Sequence, residues 1–521
     1  MRKPRVGTMK FELPKPPDGY RGEEISLPAA RLARALVEPG NRRLVYVSLA
    51  LLAACRLAFQ FGAAPFCDEA YYWLWGLHPS LSYYDHPPLD AWLLGLAVHL
   101  FGWNLFGLRA ITLATTVGTM AVLVILSRKL TGALGRDAGP VACAIFLASP
   151  LMFIYTTLVY HDHLSIFLSF VSLSLFAAFF TGVSSQQRPE LRWLYLAAFA
   201  LGLAVLTKYN AVFVGLGAAA AVVTVPALRP LLRNPHLYAA AAVSVLMQAP
   251  VFYWNAANGQ ASFRYNLYDR LHVVSPSHVV ITLVGVIGTS VAILSPLLLP
   301  AFFRSVTARI KPLPLAIWQS LGAWTFACST AAMLFLCFFI YVHFYWNIIA
   351  YLFFFPVAAI FFGSIRLLRA YLIYGIVGAA LFVFNYTVMP LSALVGPADL
   401  ESSRSYGWDE LAARIAAAKA ASGAAFVAAS SYQSTSLAGF ALHEPEVLSL
   451  DTRPSQFDIW SKQRNRQGQD AIVLVEEPQV ASLDRSIRPH FRTLDLIAMV
   501  PIVRFGKTLT TYSIYHGAGY R

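Results

Sequence analysis

Charged residues and cysteines are both scarce in this chain of 521 residues. Charged residues make up 13% of the chain, hydrophobic residues make up 57%, and the mean hydropathy is +0.57. Because a water-soluble fold cannot bury that much apolar surface, the composition excludes a soluble enzyme and predicts a protein that crosses a membrane several times. The five cysteines lack the spacing of a disulfide framework or of a zinc finger, and they therefore predict neither.

Apolar stretches of spanning length recur along the first 390 residues. They are continuous and rich in Leu, Ala, Val and Phe, which favours α-helices over the short alternating strands of a barrel. The fold class predicted is a polytopic α-helical membrane protein with about 11 to 13 transmembrane helices, each near the ~20 residues that a span needs. The eleven clearest stretches are 44–62, 110–127, 138–158, 164–182, 192–207, 209–228, 236–254, 278–303, 314–340, 345–363 and 370–390.

Basic residues mark every second junction between these stretches. Short cytoplasmic loops retain Lys and Arg, so the N-terminal tail, residues 1–40, is predicted to be cytoplasmic. This scheme requires Leu89–Phe101 to lie on the outer surface as an amphipathic helix, since it is short for a span. The basic residues that mark the inner side are Arg31, Arg34, Arg42, Arg43, Arg128, Lys129, Arg136, Arg188, Arg192, Arg229, Arg233, Arg304, Arg309, Lys311, Arg366 and Arg369.

The chain becomes polar after about Ser392. We predict a transmembrane domain over 41–391, with a first outer loop at 63–108, followed by a small periplasmic α/β domain at 392–521. Trp408–Ala421 has the pattern of an amphipathic helix. A lid, an acceptor-docking platform and a packing cap are all compatible with this sequence. The predicted strands are 425–429, 447–450, 471–475, 496–503 and 509–514.

Unusual polar clusters occur at six junctions, and all six are predicted to lie on the outer side. Random scatter would not sort these clusters by side, so we expect them to form one assembled site. Ionisable groups at a membrane boundary are costly and usually serve a function. The clusters are Cys67-Asp68-Glu69, Tyr84-Asp85-His86, Tyr160-His161-Asp162-His163, Thr207–Asn210, Asn255–Asp269 and Tyr341–Asn347.

The adjacent carboxylates Asp68 and Glu69 are the first candidates for chemistry. They cannot both point into one pocket, so one is expected to act while the other orients it. A carboxylate at a partly dehydrated boundary can have a raised pKa and accept a proton from a hydroxyl nucleophile. A helix N-cap is the alternative interpretation, and both can hold together. We favour a catalytic role because so few other acids occur in the membrane region.

A second acid stands in the corner Asp85-His86-Pro87-Pro88. One interpretation is a binding corner with contacts to phosphate or metal; the other is a rigid turn before a surface helix, which the prolines fit equally well. Together with His161 and His163, Asp85 and His86 offer nitrogen and oxygen ligands for one divalent metal ion. Interface histidines are more often simply hydrated, so the requirement for a metal stays open.

Three outer-side cations, Lys208, Arg264 and Arg270, are candidates for neutralising a phosphate. Their alternative role is snorkelling to lipid headgroups. His343 and Tyr345 belong to an aromatic segment that can pack against sugar rings or form an interfacial belt. Outside the cytoplasm there is no supply of nucleotide-activated sugars, so a transferase there would take its donor from the lipid phase. A polyprenyl-phosphate sugar fits this combination of carboxylates, cations and aromatic rings.

Several of these motifs carry a family resemblance, in order and spacing, across residues 44–390. The chain resembles the bacterial GT-C glycosyltransferases related to protein O-mannosyltransferases and to the aminoarabinose transferase of lipid A. Two segments after residue 391, Ser431–Ser434 and Gln456–Trp460, look similar as well. The motifs are Asp68-Glu69-Ala70-Tyr71-Tyr72, Tyr83–Leu89, the Asp162 of His161-Asp162-His163, and Thr207-Lys208-Tyr209.

The resemblance implies an inverting transfer from a polyprenyl-phosphate-linked sugar. It implies Asp68 as the catalytic carboxylate, Asp162 as a supporting acid, Asp85 with Tyr83 at the corner, and Lys208 as a contact to the lipid phosphate. The implied acceptor is a hydroxyl of lipid A, of another envelope glycan or of a protein. Membrane lipids are the other expected partners, and nucleic acid is not one.

The sequence departs from the aminoarabinose branch at two positions. That branch has Glu-Lys-Pro-Pro at the corner and an Arg two residues after the acidic pair, whereas this chain has Asp85-His86 and Tyr71 there. The loss of two cations argues against aminoarabinose as the sugar. A transporter or flippase of a lipid-linked glycan is the alternative function, although transporters usually have internal repeats and polar groups reachable from both sides.

Overall fold

The computed structural model describes Ala35 and residues 38–185, 189–270, 275–310, 312–462 and 465–521. Most of the predicted N-terminal tail, with Arg31 and Arg34, lies outside the described residues, as do Arg188 and Lys311. The described part is mainly helical and ends in a small sheet. This confirms the predicted fold class, a polytopic helical membrane protein with a C-terminal α/β domain.

The described residues between 38 and 391 form a bundle of long apolar helices and short connecting ones. Some of the apolar stretches contain two helices instead of one, and the break between the two helices occurs at Pro or at polar residues. The main helices are Pro39–Gly62, Cys67–Leu77, Leu89–Phe101, Leu105–Leu130, Ala138–Leu147, Pro150–Thr157, Asp162–Ser184, Leu191–Thr207, Val212–Thr224, Pro235–Leu246, Ala249–Ala257, Pro276–Leu294, Leu299–Thr307, Leu313–Leu336, the 3₁₀-helix Phe344–Val357, and Ile365–Thr387.

Fewer spans are present in the described residues than the eleven predicted. Six helices are long and apolar enough to cross a membrane, and nine spans result if each of three bent helix pairs counts as one. The pairs fall in the predicted stretches 138–158, 209–228 and 236–254 and bend by 81°, 105° and 42°. The two remaining predicted spans correspond to Leu191–Thr207, a short helix of 17 residues, and to Leu313–Leu336.

Helix Leu89–Phe101 forms at the predicted bounds, but it is not amphipathic in the predicted sense. Leu96 and Leu100 are exposed on its outer face, whereas the carboxylate of Asp90 is fully buried. An apolar outer face suits contact with lipid chains better than contact with water.

The same helix crosses Cys67–Leu77 at a point where two glycines meet. A Cβ atom on Gly76 would lie 2.7 Å from the backbone nitrogen of Gly95, and a Cβ on Gly95 would lie 2.7 Å from the carbonyl oxygen of Gly76. Only residues without a side chain permit this backbone approach. The crossing fixes the direction of the helix whose first turn carries Asp68.

The C-terminal domain contains a mixed five-stranded sheet, and all five predicted strands are confirmed. The order in the sheet is β2-β1-β3-β5-β4, in which β1 pairs in parallel with β2 and β3 while β5 pairs antiparallel with β3 and β4. Helix Trp408–Ser422, also predicted, precedes the first strand. The strands are β1 Phe426–Ala429, β2 Leu448–Ser449, β3 Ala471–Glu476, β4 Thr493–Arg504 and β5 Lys507–Ala518.

The C-terminal domain packs directly on the helix that begins with the acidic pair. The rings of Trp73 and Phe440 lie 5.9 Å apart, and the indole nitrogen of Trp103 donates a 3.1 Å hydrogen bond to the carbonyl of Phe440. One buried apolar cluster includes residues of both parts. Burial of large aromatic side chains is a strong stabilising contribution, so this domain is a fixed wall of the molecule rather than a loose appendage.

Candidate active site

A cavity of about 820 Å³ lies where the helix bundle meets the C-terminal domain. Each of the six polar clusters contributes to its lining, which agrees with the single assembled site expected from their distribution. The predicted site residues that line the cavity are Asp68, Asp85, His86, His161, Asp162, Lys208, Arg270, His343 and Tyr345. Glu69, Tyr83, His163 and Arg264 are not among its lining residues.

Asp68 lies in the first turn of helix Cys67–Leu77 and faces the cavity. Its Oδ1 accepts a 3.4 Å hydrogen bond from the hydroxyl of Tyr432, and no salt bridge to it is formed by any described residue. Burial raises the pKa of Asp68 to about 6, and the neighbouring carboxylate of Asp85 adds to the rise. A carboxylate with this pKa is ionised at neutral pH and is basic enough to accept a proton.

Glu69 points the other way and does not line the cavity, which corrects its assignment to the catalytic residues. Its carboxylate is fully buried and receives hydrogen bonds from Arg109 at 2.6 and 3.1 Å, and from the backbone amides of Phe66 and Val159. Successive side chains on a helix diverge by about 100°. The expected division between an acting and an orienting acid therefore fits Asp68 and Glu69 respectively.

Asp85 forms an ion pair that the sequence did not indicate. Its Oδ1 accepts a 2.8 Å hydrogen bond from Nη2 of Arg453 in the C-terminal domain, and its Oδ2 accepts one of 3.0 Å from the hydroxyl of Tyr71. Tyr71 stands at the position where the aminoarabinose branch has Arg. The cavity therefore contains a cation next to Asp85, although the motifs lack the two cations of the aminoarabinose branch. This cation, Arg453, comes from the C-terminal domain.

Asp162 and Lys208 form the second carboxylate and cation pair of the cavity. The Nζ atom of Lys208 donates to both oxygens of Asp162, at 2.7 and 2.8 Å, and it lies 5.0 Å from the centre of the Tyr345 ring. Both side chains of the pair are buried. Asp162 therefore fixes the direction of the lysine, as expected for a supporting acid.

The two predicted arginines have different positions. Arg270 lines the cavity, donates a hydrogen bond to the hydroxyl of Tyr265, and lies 5.6 Å from the ring of Trp346. Arg264 is exposed and lies outside the cavity lining, so the structure does not bring it together with the other predicted site residues.

Tyr83 is also placed differently from the prediction. Its hydroxyl donates to the carbonyls of Trp75 and His78, at 2.9 and 3.0 Å, and its ring stacks on Trp75 with centroids 4.5 Å apart. The residue is fully buried. Tyr83 therefore anchors the corner loop to the helix and does not contact the cavity.

Asp85, His86, His161 and His163 are candidate metal ligands in the sequence, which leaves the requirement for a metal open. Within the described parts of the chain, no group of three or more His, Cys, Asp or Glu side chains is arranged to hold a metal ion. His86 and His161 line the cavity with ring centres 4.3 Å apart, and burial lowers the pKa of both well below the usual range, which keeps them neutral. His163 is not a lining residue and instead contacts Thr115 at 3.0 Å and Asp90 at 3.3 Å.

Two residues of the C-terminal domain, Tyr432 and Arg453, complete the site and were missed. Ser431 caps the helix that Tyr432 begins, and Asp451 accepts hydrogen bonds from the backbone amides of both Tyr432 and Arg453, each at 3.0 Å. The two residues follow the carboxyl ends of β1 and β2. Ligands often bind at the carboxyl ends of parallel strands. The residues that follow the predicted strands β1 and β2 could therefore have been identified as candidates for this side of the cavity.

Comparison with known proteins agrees with this architecture. Residues 85–254 match the family model described as dolichyl-phosphate-mannose-protein mannosyltransferase. Over 200 residues, the chain is 28% identical to the lipid A galacturonosyltransferase RgtD of Rhizobium johnstonii; this region covers 38% of the chain and 40% of that relative. The chain thus matches less than half the length of this curated relative.

Two solved structures with a similar fold are both of ArnT from Cupriavidus metallidurans. The apo structure gives a TM-score of 0.59 and the structure bound to undecaprenyl phosphate gives 0.58, each at 14% identity and covering 97% of ArnT. They cover 90% and 91% of this chain. The family match over residues 85–254 and the shared fold confirm the resemblance seen in the motifs: the chain has an ArnT-like fold and is similar to the GT-C glycosyltransferases related to the protein O-mannosyltransferases.

Proposed function

We propose that this protein is a membrane glycosyltransferase that moves a sugar from a polyprenyl-phosphate donor to a hydroxyl of a lipid A-type glycolipid. The transfer takes place on the periplasmic side of the inner membrane and inverts the anomeric configuration. RgtD acts on lipid A, and one structure with this fold is bound to undecaprenyl phosphate. These relationships support the acceptor and the donor class, respectively.

The observation that carries the proposal is the unequal pairing of the three cavity carboxylates. Asp85 is paired with Arg453 and Asp162 with Lys208, whereas Asp68 has only a long hydrogen bond from a tyrosine among the described residues. The two ion pairs engage the oxygens of Asp85 and Asp162, whereas burial and the neighbouring Asp85 raise the pKa of Asp68 to about 6. Asp68 is therefore the carboxylate best suited to act as a general base.

At the anomeric carbon, the reaction forms one bond and breaks one, and a proton moves from the acceptor hydroxyl to Asp68. Asp68 accepts the proton of the acceptor hydroxyl, whose oxygen forms a bond to the anomeric carbon from the side opposite the phosphate. The bond from the anomeric carbon to the phosphate oxygen breaks, and the polyprenyl phosphate leaves with the bonding electrons. Lys208 and Arg270 stabilise the charge that develops on this phosphate.

The lining of the cavity also suits a donor with a lipid tail. Alongside the charged groups it includes the apolar side chains of Phe213, Met333, Leu336 and Ile340. Apolar contacts of this kind stabilise a prenyl chain by removing its surface from water or from the headgroup region. A ligand with a charged head and a long apolar tail matches both parts of the lining.

Mass spectrometry of the envelope glycolipids tests this proposal. Cells that carry the wild-type protein should contain a lipid A species heavier by one sugar, and cells that carry Asp68→Asn should lack it. Asp409→Asn, an exposed acid on the C-terminal domain, is the matched control and should retain the product. Identical glycolipid profiles with and without the wild-type protein would contradict the proposal.

A further inference from the structure

The turn between β4 and β5 contains a phenylalanine where the backbone conformation does not favour one. The two strands pair as far as Arg504 and Lys507, so Phe505 and Gly506 form a two-residue turn. Their φ angles are 48° and 76°. Turns of this kind usually contain Asn, Asp or Gly, because a larger side chain is strained in the left-handed region. Strain of this kind persists most often where it serves a function.

The ring of Phe505 gains little from packing within the protein. The residue is 77% exposed, and it belongs to none of the buried apolar clusters of the described chain. Exposed apolar side chains are ordinary on protein surfaces, but here the exposure coincides with a backbone that disfavours the residue. Neither the turn nor the packing of the domain explains an aromatic residue at this position.

One strand of this hairpin is tied to the segment that leaves the helix bundle. The Nζ atom of Lys507 donates a hydrogen bond to the carbonyl of Ala393. Ala393 lies six residues after Ile365–Thr387, a helix that is long and apolar enough to cross a membrane. The turn therefore lies close to the point where the chain leaves the membrane.

The other strand of the hairpin reaches the same level. The guanidinium of Arg504 lies 5.5 Å from the centre of the Tyr406 ring. The hydroxyl of Tyr406 donates a 2.6 Å hydrogen bond to the carbonyl of Asn385, in the last turn of the same membrane-spanning helix. The polar headgroup region extends roughly 5–8 Å beyond each side of the apolar core of a bilayer. These short contacts with the end of the span place the turn at the depth of the headgroups.

The turn is accompanied by three other exposed apolar side chains. Val503 precedes Phe505 by two residues on β4 and is 49% exposed. Leu394 and Val395 directly follow the residue that Lys507 contacts, and they are 53% and 92% exposed. Apolar residues that cluster on a surface indicate an interaction site more strongly than single ones do. We refer to Leu394, Val395, Val503 and Phe505 as the apolar tip.

Two cations flank the turn. Arg504 and Lys507 are exposed, and neither takes part in the salt bridges of the described C-terminal domain. Anionic phospholipid headgroups attract basic residues that lie near the membrane surface. Apolar side chains and cations together bind a bilayer surface through burial and through charge.

The backbone of β4 is poorly suited to pairing with a strand of another protein, although β4 lies at the edge of the sheet. Pro501 removes one amide donor from the strand, and the register shifts between Leu496 and Ala498 and between Ile502 and Val503. Prolines and bulges are features with which edge strands avoid the addition of a further strand. A contact made by side chains at the turn is therefore favoured, and a lipid surface needs only such a contact.

We propose that the apolar tip inserts into the headgroup region of the leaflet on the cavity side, where Arg504 and Lys507 bind the phosphates of anionic phospholipids. This contact is a second attachment of the C-terminal domain, in addition to its packing on the bundle. It holds the wall that carries Tyr432 and Arg453 at a fixed height above the bilayer. The inference requires only that the bundle lies in a membrane, so it is independent of the sugar-transfer reaction.

Photo-cross-linking of the full-length protein tests the insertion. A benzophenone amino acid replaces Phe505 or, in a second variant, Val395, and each protein is reconstituted in liposomes of equal parts phosphatidylglycerol and phosphatidylcholine. Both side chains are exposed, so the replacement removes no buried contact. After irradiation, mass spectrometry should detect protein that carries one phospholipid in both variants.

The matched control places the same benzophenone group at Leu496, an exposed apolar residue of the same strand. Nine residues of β-strand separate it from Phe505, a distance of about 30 Å. This variant should give little or no lipid adduct. The melting temperature of each variant in the same liposomes should equal that of the wild type, which shows that the fold is retained.

The composition of the adduct tests the two cations. The variant labelled at Phe505 should carry phosphatidylglycerol about fivefold more often than phosphatidylcholine, the preference expected from one basic residue near an anionic surface. Arg504→Gln/Lys507→Gln should bring the two lipids close to equal. Arg414→Gln changes an exposed arginine of the same domain and should keep the preference.

Four results would overturn the inference. They are the absence of lipid adducts at both Phe505 and Val395, equal lipid adducts at Phe505 and Leu496, cross-links from the apolar tip to a second copy of the chain or to another protein, and a preference for phosphatidylglycerol that persists in Arg504→Gln/Lys507→Gln. None of these results changes the expected effect of Asp68→Asn on sugar transfer. Conversely, a protein without transferase activity would still be expected to form the lipid adducts.

Discussion

The hydroxyl of Tyr432 donates a hydrogen bond to Oδ1 of Asp68 over 3.4 Å, across a sequence separation of 364 residues. This contact joins the first turn of a helix in the bundle to the first turn of a helix in the C-terminal domain. The proposed base is therefore oriented by a domain outside the apolar bundle.

The rate of sugar transfer should depend on pH through the ionisation of Asp68. Its pKa is raised to about 6 by burial and by the neighbouring Asp85, and only the ionised carboxylate accepts a proton. Because lower pH protonates the base, kcat/KM should fall by about tenfold per pH unit well below pH 6 and level off above it. A profile that stays flat from about pH 5 to 8 would exclude Asp68 as the titrating base.

Tyr432→Phe should move the midpoint of this pH profile upward. The hydroxyl donates to the ionised carboxylate and lowers the pKa of Asp68, so its removal makes the ionised form less favourable. The readout is the pH midpoint of kcat/KM, which a purely structural role of the ring would not shift. An unchanged midpoint with reduced activity at every pH would show that the hydroxyl acts only through packing.

Lys208→Ala should raise the donor concentration needed for half-maximal transfer. The loss of a charge-assisted hydrogen bond to phosphate predicts a KM higher by roughly 10-fold to 100-fold. Asp162 would then be left without its partner, so Asp162→Asn/Lys208→Ala is the companion variant that avoids a lone buried charge. A donor dependence equal to that of the wild type in both variants would rule out contact between Lys208 and the phosphate.

Glu69→Gln should destabilise the protein, in contrast to changes at the adjacent Asp68. The substitution removes the charge that pairs with the fully buried Arg109, and breaking a buried pair costs about 3–5 kcal/mol. The melting temperature in detergent should drop for Glu69→Gln and stay near the wild-type value for Asp68→Asn. Equal melting temperatures for the wild type and Glu69→Gln would show that the buried pair contributes little.

The assembly of the site could be predicted from the sequence because the order of the apolar stretches determines which of the loops between them lie on the same side of the membrane. Clusters as distant as Asp85 and His343 line the cavity for that reason. The bounds of Leu89–Phe101 were equally accessible, because Pro88 precedes this helix and Gly102, with φ of 77°, ends it. Local chemistry and apolar periodicity were sufficient for these features.

The direction of individual side chains was not accessible in the same way. Asp68 and Glu69 are adjacent acids with the same charge, so the sequence does not distinguish them. The structure does, because Glu69 is paired with Arg109, 40 residues further on. Tyr83 was assigned to binding because it stands beside Asp85, whereas its hydroxyl is used by backbone carbonyls. A residue that belongs to one of these motifs is expected to lie near the cavity. Contacts from distant helices decide whether its side chain points into the cavity.

Arg453 illustrates a different limit. Its role depends on how the C-terminal domain docks, which is set by aromatic packing between Trp73 and Phe440 and not by any pattern near residue 453. The predicted strands located the edge from which it projects, but not the cavity that it enters. The helix bundle and the C-terminal domain could each be predicted from the sequence. The position of Arg453 could not, because it depends on the packing between them.

The central claim is that Asp68 performs the proton transfer, and Asp68→Asn tests it most directly. In purified protein with donor and lipid A, the account predicts a loss in kcat of roughly 10²-fold to 10⁴-fold, the usual contribution of a general base, with unchanged affinity for polyprenyl phosphate. Asp409→Asn should match the wild type in both measurements. Transfer by Asp68→Asn within about twofold of the wild-type rate would contradict the account.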